Sequence, residues 1–170
     1  MFGRQRKLDS EDELYNAAVR ALMRRGHSTS EMNKLLTRRC DNELLVRVVL
    51  ARLRENGQLD DARYAQQFVR QRTEIRRQGK FRITRDLRAH GVADEHIAAA
   101  LAESAGQNDE TAVVRQRIER KLKLTRGEID ERKIASLYRS LLRAGFAPDL
   151  IRRELQAMTK AQVPEVEASE

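Results

Sequence analysis

One stretch of this chain is written twice, and the repetition narrows its possible folds more than any other feature. ITRDLRAHGVADEHIAAAL at Ile83–Leu101 aligns without a gap on LYRSLLRAGFAPDLIRREL at Leu137–Leu155, an offset of 54 residues. Arg85 falls on Arg139, Leu87 on Leu141, Gly91 on Gly145, Ala93 on Ala147, Ile97 on Ile151 and Leu101 on Leu155. These are the residues a helix–turn–helix needs: apolar side chains at helical spacing and a glycine where the first helix stops. Such a period marks a helical repeat array, whose units bury their faces on neighbours and offer an outer surface to partners. Sliding Met32–Leu50 onto Ile83–Leu101, an offset of 51, aligns Leu36 with Leu87, Val46 with Ile97 and Leu50 with Leu101. Cys40 and Asp41 stand there in place of the Gly-Val turn. This reads as a diverged copy, the alternative being an unrelated first module.

The expectation is an all-α chain of tandem three-helix repeats, about nine helices in all, forming an elongated, curved array. Only two prolines, Pro148 and Pro164, interrupt 170 residues, so nearly the whole chain is free to be helical. Aromatics make up 4% with no Trp, which argues against a large sandwich or an aromatic-lined ligand pocket. The single Cys40 forms no intramolecular disulfide and no cysteine-based zinc site. No apolar run approaches the roughly 20 residues of a membrane span, and MFGRQRKLDS has no apolar signal core after it, so a cytosolic protein with no membrane partner is expected.

Periodicity and caps divide the chain into a basic arm (1–10), repeat 1 (11–57), repeat 2 (58–105), repeat 3 (109–159) and an acidic, disordered tail (160–170). In repeat 1, helices are predicted over Glu11–Arg25, from the Ser28/Glu31 capping box, and over Asn42–Glu55, burying Leu14, Met32, Leu36, Val49 and Leu53. Asp60 is a candidate N-cap for a helix over Asp61–Arg77. That helix should bury Ala65, Phe68 and Ile75 and show Arg63, Arg70 and Arg77 as one stripe. Helices near Phe81–His90 and Asp94–Ser104 complete repeat 2, and SAGQND at Ser104–Asp109 reads as a linker. Helices near Glu110–Leu124, Asp130–Ala144 and Pro148–Met158 form repeat 3.

Thirty-four basic residues against 26 acidic give a net charge of +8. The charge is not spread evenly. Ala62–Arg88 holds nine basic residues against Glu74 and Asp86, a local +7, and Val113–Arg126 adds six against Glu119, a local +5. These two stretches exceed the total, so the rest of the chain is net acidic. Arg82, Arg85 and Arg88 lie off the Ile83–Leu87 face and should reach solvent. Arginine dominates both clusters, and its planar fork pairs bidentately with carboxylates or phosphates. The composition fits an acidic protein surface or a phosphate backbone equally, and a merely solvated helix face is the plain alternative. The partner-binding candidates are Arg63, Arg70, Arg77, Lys80, Arg82, Arg85, Arg88, Arg120 and Lys123.

Catalytic and metal readings fall away. Asp60 and Asp61 suit a helix start better than a metal site, because no third ligand is near. His27, His90 and His96 are scattered. Tyr64 and Phe68, four apart, suit core packing better than a base-stacking platform. No phosphate-binding loop, H-E-x-x-H pair or G-x-S-x-G elbow occurs. No enzymatic activity and no cofactor are expected.

Three stretches in order carry a family resemblance. RRGHSTSEM at Arg24–Met32 resembles the Arg-x-His-Ser turn that opens the second helix of the RecX regulatory proteins, with Met32 where Leu is usual. NGQLDDARYAQQFV at Asn56–Val69 resembles that family's Gly-x-Leu-Asp-Asp turn followed by Arg-aromatic-Ala. QGKFRITRDLRAHGV at Gln78–Val92 resembles its Gly-x-x-x-Ile-x-x-x-Leu-x-x-x-Gly-Val pattern. The agreement spans about Leu14–Leu155, with repeat 3 carrying only the general helical pattern. The resemblance implies three-helix repeats that dock along a RecA recombinase filament on single-stranded DNA. It further implies suppression of the filament's ATP hydrolysis, strand exchange and co-protease action, with no catalytic residues in the regulator. A monomer is expected. Direct binding to single- or double-stranded DNA, and an adaptor for another acidic protein, are the competing readings.

Overall fold

A computed structural model gives the fold and describes residues 7–124 and 130–159. The predicted arm up to Arg6, Arg126 of the second basic cluster and the predicted tail lie outside the described residues. Among the described residues there are nine helices: α1 (Glu11–Arg24), α2 (Thr29–Arg39), α3 (Glu43–Glu55), α4 (Asp61–Glu74), α5 (Lys80–Ala89), α6 (Asp94–Ala105), α7 (Glu110–Leu124), α8 (Glu131–Arg143) and α9 (Pro148–Thr159). The all-α helical array expected from the repeat is what the chain forms. Its contacts divide it into two compact units, Met1–Phe68 with Asp86–Ala100, and Val69–Arg85 with Leu101–Glu170.

In the first unit, caps fix the helix starts. The Ser10 hydroxyl accepts the Glu13 N–H, and three acidic residues in the first turn of α1 meet the positive end of its dipole. Ser28 and Glu31 form the predicted capping box at the start of α2. The Asn42 side chain accepts the N–H groups of Leu44 and Leu45 at 3.1 and 3.2 Å and starts α3. Leu14, Met32, Leu36, Val49 and Leu53 are fully buried where α1, α2 and α3 pack together. Each such side chain contributes about 1.5–3 kcal/mol of apolar burial. The diverged turn after α2 uses no left-handed residue: Cys40 is extended at φ −139°, and Asn42 restarts the chain.

The same unit ties α2 to α4 and to the end of α5 through polar contacts. Asp60 accepts the Arg63 N–H at 3.0 Å, the predicted cap, while Asp61 reaches back to accept the Thr29 N–H at 2.7 Å. The Ser28 hydroxyl donates to the His90 carbonyl, and a Cβ on Gly91 would stand 2.4 Å from that of Ser30. Gly91, at φ +74°, therefore meets two demands at once, the turn and the close approach.

In the second unit, α7, α8 and α9 enclose Val114, Ile118, Ile134, Tyr138, Leu141, Phe146, Ile151 and Leu155. Arg115 and Arg153 both donate to the buried Glu154 carboxylate. The start of α5 sits on the end of α8. The Gly79 N–H donates to the Ala144 carbonyl at 2.9 Å and the Phe81 N–H to the Gly145 carbonyl at 3.1 Å. Donors left over at one helix start thus satisfy acceptors left over at another helix end.

Four expectations need correction. Helix α4 stops at Glu74 rather than Arg77, and Ile75, expected in the core, is 75% exposed. Arg77 has left the helix at φ +52°, so it cannot continue a stripe from Arg63 and Arg70. Phe68 is only half-buried. The cause is tertiary: Gly79 must reach Ala144, so the chain turns at Arg77, and the Gln78 N–H closes the turn on the Arg72 carbonyl at 3.0 Å.

Candidate partner-binding surface

The nine candidate cations divide between the units. Arg63 and Arg88 belong to the first; Arg70, Arg77, Lys80, Arg82, Arg85, Arg120 and Lys123 belong to the second. Several are already engaged. Arg63 donates to the Gly57 carbonyl. Arg88 forks onto Asp94 at 2.7 and 3.2 Å, which raises the guanidinium and lowers the carboxyl. Arg70 spans one helical turn to Glu74 at 3.2 and 3.3 Å. Arg82, expected in solvent, is half-buried with its Nη1 donating to the Arg143 carbonyl at 3.2 Å, because it lies where α5 meets the end of α8. Lys80 stands with its ammonium 5.6 Å from the ring centroid of Phe81, itself 55% exposed. Arg85 and Lys123 are exposed on α5 and α7.

Arg77 and Arg120 meet in a cleft of about 600 Å³ within the second unit. Its lining comes from the turn after α4, the later half of α7 and the face of α8. Among the described residues five cations line it, namely Arg76, Arg77, Arg117, Arg120 and Lys121, and no acidic side chain does. Leu124 supplies exposed apolar surface, Leu137 and Leu141 are buried in the core beside it, and Gln116 and Ser140 are the other described residues that line it.

Arg117 does a different job from the others. Its Nη2 donates to the Arg76 carbonyl at 3.2 Å and the Arg77 carbonyl at 2.9 Å, and its guanidinium carbon lies 5.7 Å from the Phe146 ring centroid. Burial, and then the Arg77 charge, lower its pKa from the ordinary arginine value. It locks the turn that presents Arg76 and Arg77. Among the described residues, no hydrogen bond or ion pair engages the side chains of Arg76, Arg77 or Arg120.

Arg76, Arg117, Lys121 and Leu124 were not among the nine. A signal for most of them exists in the sequence: Arg117, Arg120, Lys121 and Leu124 stand at i, i+3, i+4 and i+7 on one helix face. Arg76 has no such signal, because its position depends on where α4 ends.

The first unit holds a polar hub instead of a cleft. Glu31 accepts from Arg25 at 3.2 Å through both oxygens and from the Ser28 N–H at 3.2 Å, and it lies 3.1 Å from His90 Nδ1 and 3.4 Å from the Tyr64 hydroxyl. Burial pushes this carboxyl up, but Arg25 and the Ser28 N–H outweigh it and hold the group below the usual carboxylate range. Tyr64, Phe68 and the His90 ring pack against one another at 5.4–6.1 Å between centroids. No group of three or more potential metal ligands gathers among the described residues, and no helix there is long and apolar enough to cross a membrane.

A family profile described as "RecX, second three-helix domain" matches residues 60–101. The Regulatory protein RecX of Stenotrophomonas maltophilia is 35% identical over 153 residues, covering 89% of this chain and 90% of its own. That of Halorhodospira halophila is 41% identical over 95 residues, 56% of this chain and 58% of its own. The crystal structure of RecX from Lactobacillus salivarius superposes with a TM-score of 0.77 at 20% identity, covering 89% of this chain and 97% of that one.

Proposed function

The chain belongs to the RecX family of regulatory proteins, and on that premise we propose that it is a negative regulator of the RecA recombinase. In this reading it binds the RecA–single-stranded DNA filament and suppresses ATP hydrolysis, strand exchange and co-protease activity. The observation that carries the reading is the 35% identity running through nine-tenths of both chains. The physical support is a surface suited to a polyanionic polymer: seven of the nine candidate cations fall in one unit, which also holds the cationic cleft. The chain performs no reaction in this reading and acts by occupancy. Three linked repeats, 11–57, 58–105 and 109–159, raise the effective concentration of each contact, so weak contacts hold when the filament lets them engage together.

The test is to titrate the purified chain onto preformed RecA–single-stranded DNA filaments and follow ATP hydrolysis. Turnover should fall as the chain approaches stoichiometry with recombinase, and unchanged turnover refutes the reading. Salt separates filament binding from simple DNA binding. Affinity for bare single strands falls with a log–log slope of about −0.7 per phosphate contacted. Inhibition should therefore outlast binding to naked DNA as salt rises.

A further inference from the structure

The cationic cleft of the second unit carries apolar surface of a kind that suits one class of polyanion better than another. Single strands are held by cations along the backbone together with aromatic faces on which bases stack. Among the described residues no aromatic side chain lines this cleft: the nearby Phe146 ring is buried, with Arg117 over it. Its exposed apolar lining is aliphatic instead, supplied chiefly by the 71% exposed Leu124, since Leu137 and Leu141 are buried in the core. Aliphatic surface beside guanidinium groups complements a carboxylate-rich segment that also carries an aliphatic side chain.

Arg77 provides a separate indication. The comparable turns after α3, α5 and α8 use Gly57, Gly91 and Gly145 in the left-handed region, where glycine carries no side-chain penalty. The turn after α4 uses an arginine at φ +52°. Glycine would serve the turn alone, so the strained arginine is accounted for by what its guanidinium does in the cleft.

We propose that this cleft binds a partner protein through a short acidic segment, with carboxylates on Arg77 and Arg120 and an aliphatic side chain against Leu124. The proposal rests on the reading of a polyanionic partner given above and specifies that protein, not nucleic acid, fills this site. Arg117 is a positioning residue, holding the turn by its carbonyls.

The test uses the full chain without recombinase and fluorescence anisotropy with three labelled probes of equal charge. One is a glutamate-rich peptide with a central leucine, the second the same peptide with serine at the centre, and the third an oligothymidylate. The leucine peptide should bind tightest, by roughly tenfold over the serine peptide, about the worth of one buried aliphatic side chain. Leu124→Ser should erase that advantage and leave the serine peptide unchanged. Arg77→Gly should weaken both peptides while the protein stays folded, since glycine suits the turn. The proposal is overturned if the oligothymidylate binds as tightly as the leucine peptide and responds to the same substitutions. It is equally overturned if the leucine brings no gain, or if no peptide binds. Any of these alongside intact filament inhibition removes this inference alone; peptide binding without any effect on filaments removes the regulator reading alone.

Discussion

At the scale of single residues, His27 shows how burial turns a turn histidine into an acid-sensitive point. Burial lowers its pKa from the ordinary 6.5, the Arg25 charge adds to the effect, and Glu31 pulls the other way. A histidine kept neutral in the fold binds fewer protons there than in the unfolded chain. Its contribution to stability is therefore complete above the ordinary histidine pKa and is lost as pH falls from that value toward the lowered one. Glu31 and Glu154, both held below the carboxylate range, lose their contributions in a more acid window, as pH falls through their depressed values. The urea midpoint should fall as pH drops from about 7 through the ordinary histidine value, and His27→Gln should reduce that fall. Equal pH slopes in the two proteins would remove His27 as the cause.

At the scale of elements, what matters most is how helix ends are closed. Gly57 and Gly79 separate two requirements. A Cβ on Gly57 meets nothing within 4 Å, so Gly57→Ala costs only its left-handed backbone at φ +64°, about 1 kcal/mol. A Cβ on Gly79 would stand 2.3 Å from the Gly145 carbonyl oxygen, so Gly79→Ala must push α5 off the end of α8 and should cost about 3 kcal/mol. Denaturant unfolding of the two variants measures the difference, and equal losses would contradict the close approach. The same contrast explains what the sequence reveals. Leu14, Leu36, Leu53 and Leu141 declare themselves by period, and Gly91 and Gly145 by recurring after it. Ser28 and Asp60 declare themselves by capping chemistry. Gly79 and the end of α4 do not, because the partner that fixes them, Ala144, is 65 residues away. Ile75 continues an apolar period past the last helical turn, so periodicity alone places it in the core. The cleft was half legible: α7 shows its cationic face by spacing, whereas Arg76 and Arg77 join it only once the helix has broken.

At the scale of the whole molecule, the question is whether net charge or particular cations drive partner binding. Both basic clusters contribute to a long-range positive field, which speeds encounter with any polyanion and is screened by salt. Field alone, however, does not distinguish Arg70 and Arg88 from Arg77 and Arg120. Local structure does. The first pair is held by Glu74 and Asp94, and a partner must break those contacts before using it. The second pair lines a cleft with no acidic side chain and no such competitor among the described residues. Arg70→Glu with Arg88→Glu changes net charge by the same amount as Arg77→Glu with Arg120→Glu, so steering should suffer alike in both. Hydrogen bonds to charged groups contribute about 1.5–3 kcal/mol each, which sets the loss for the cleft variant at tenfold or more in inhibitory potency. The helix-face variant should lose roughly threefold or less, the scale of exposed pairs. ATP hydrolysis by preformed recombinase filaments, titrated with each variant at one salt concentration, gives both numbers. Equal losses would mean that the filament reads only the charge of this chain; a gap between them would mean that it reads where the charge is held.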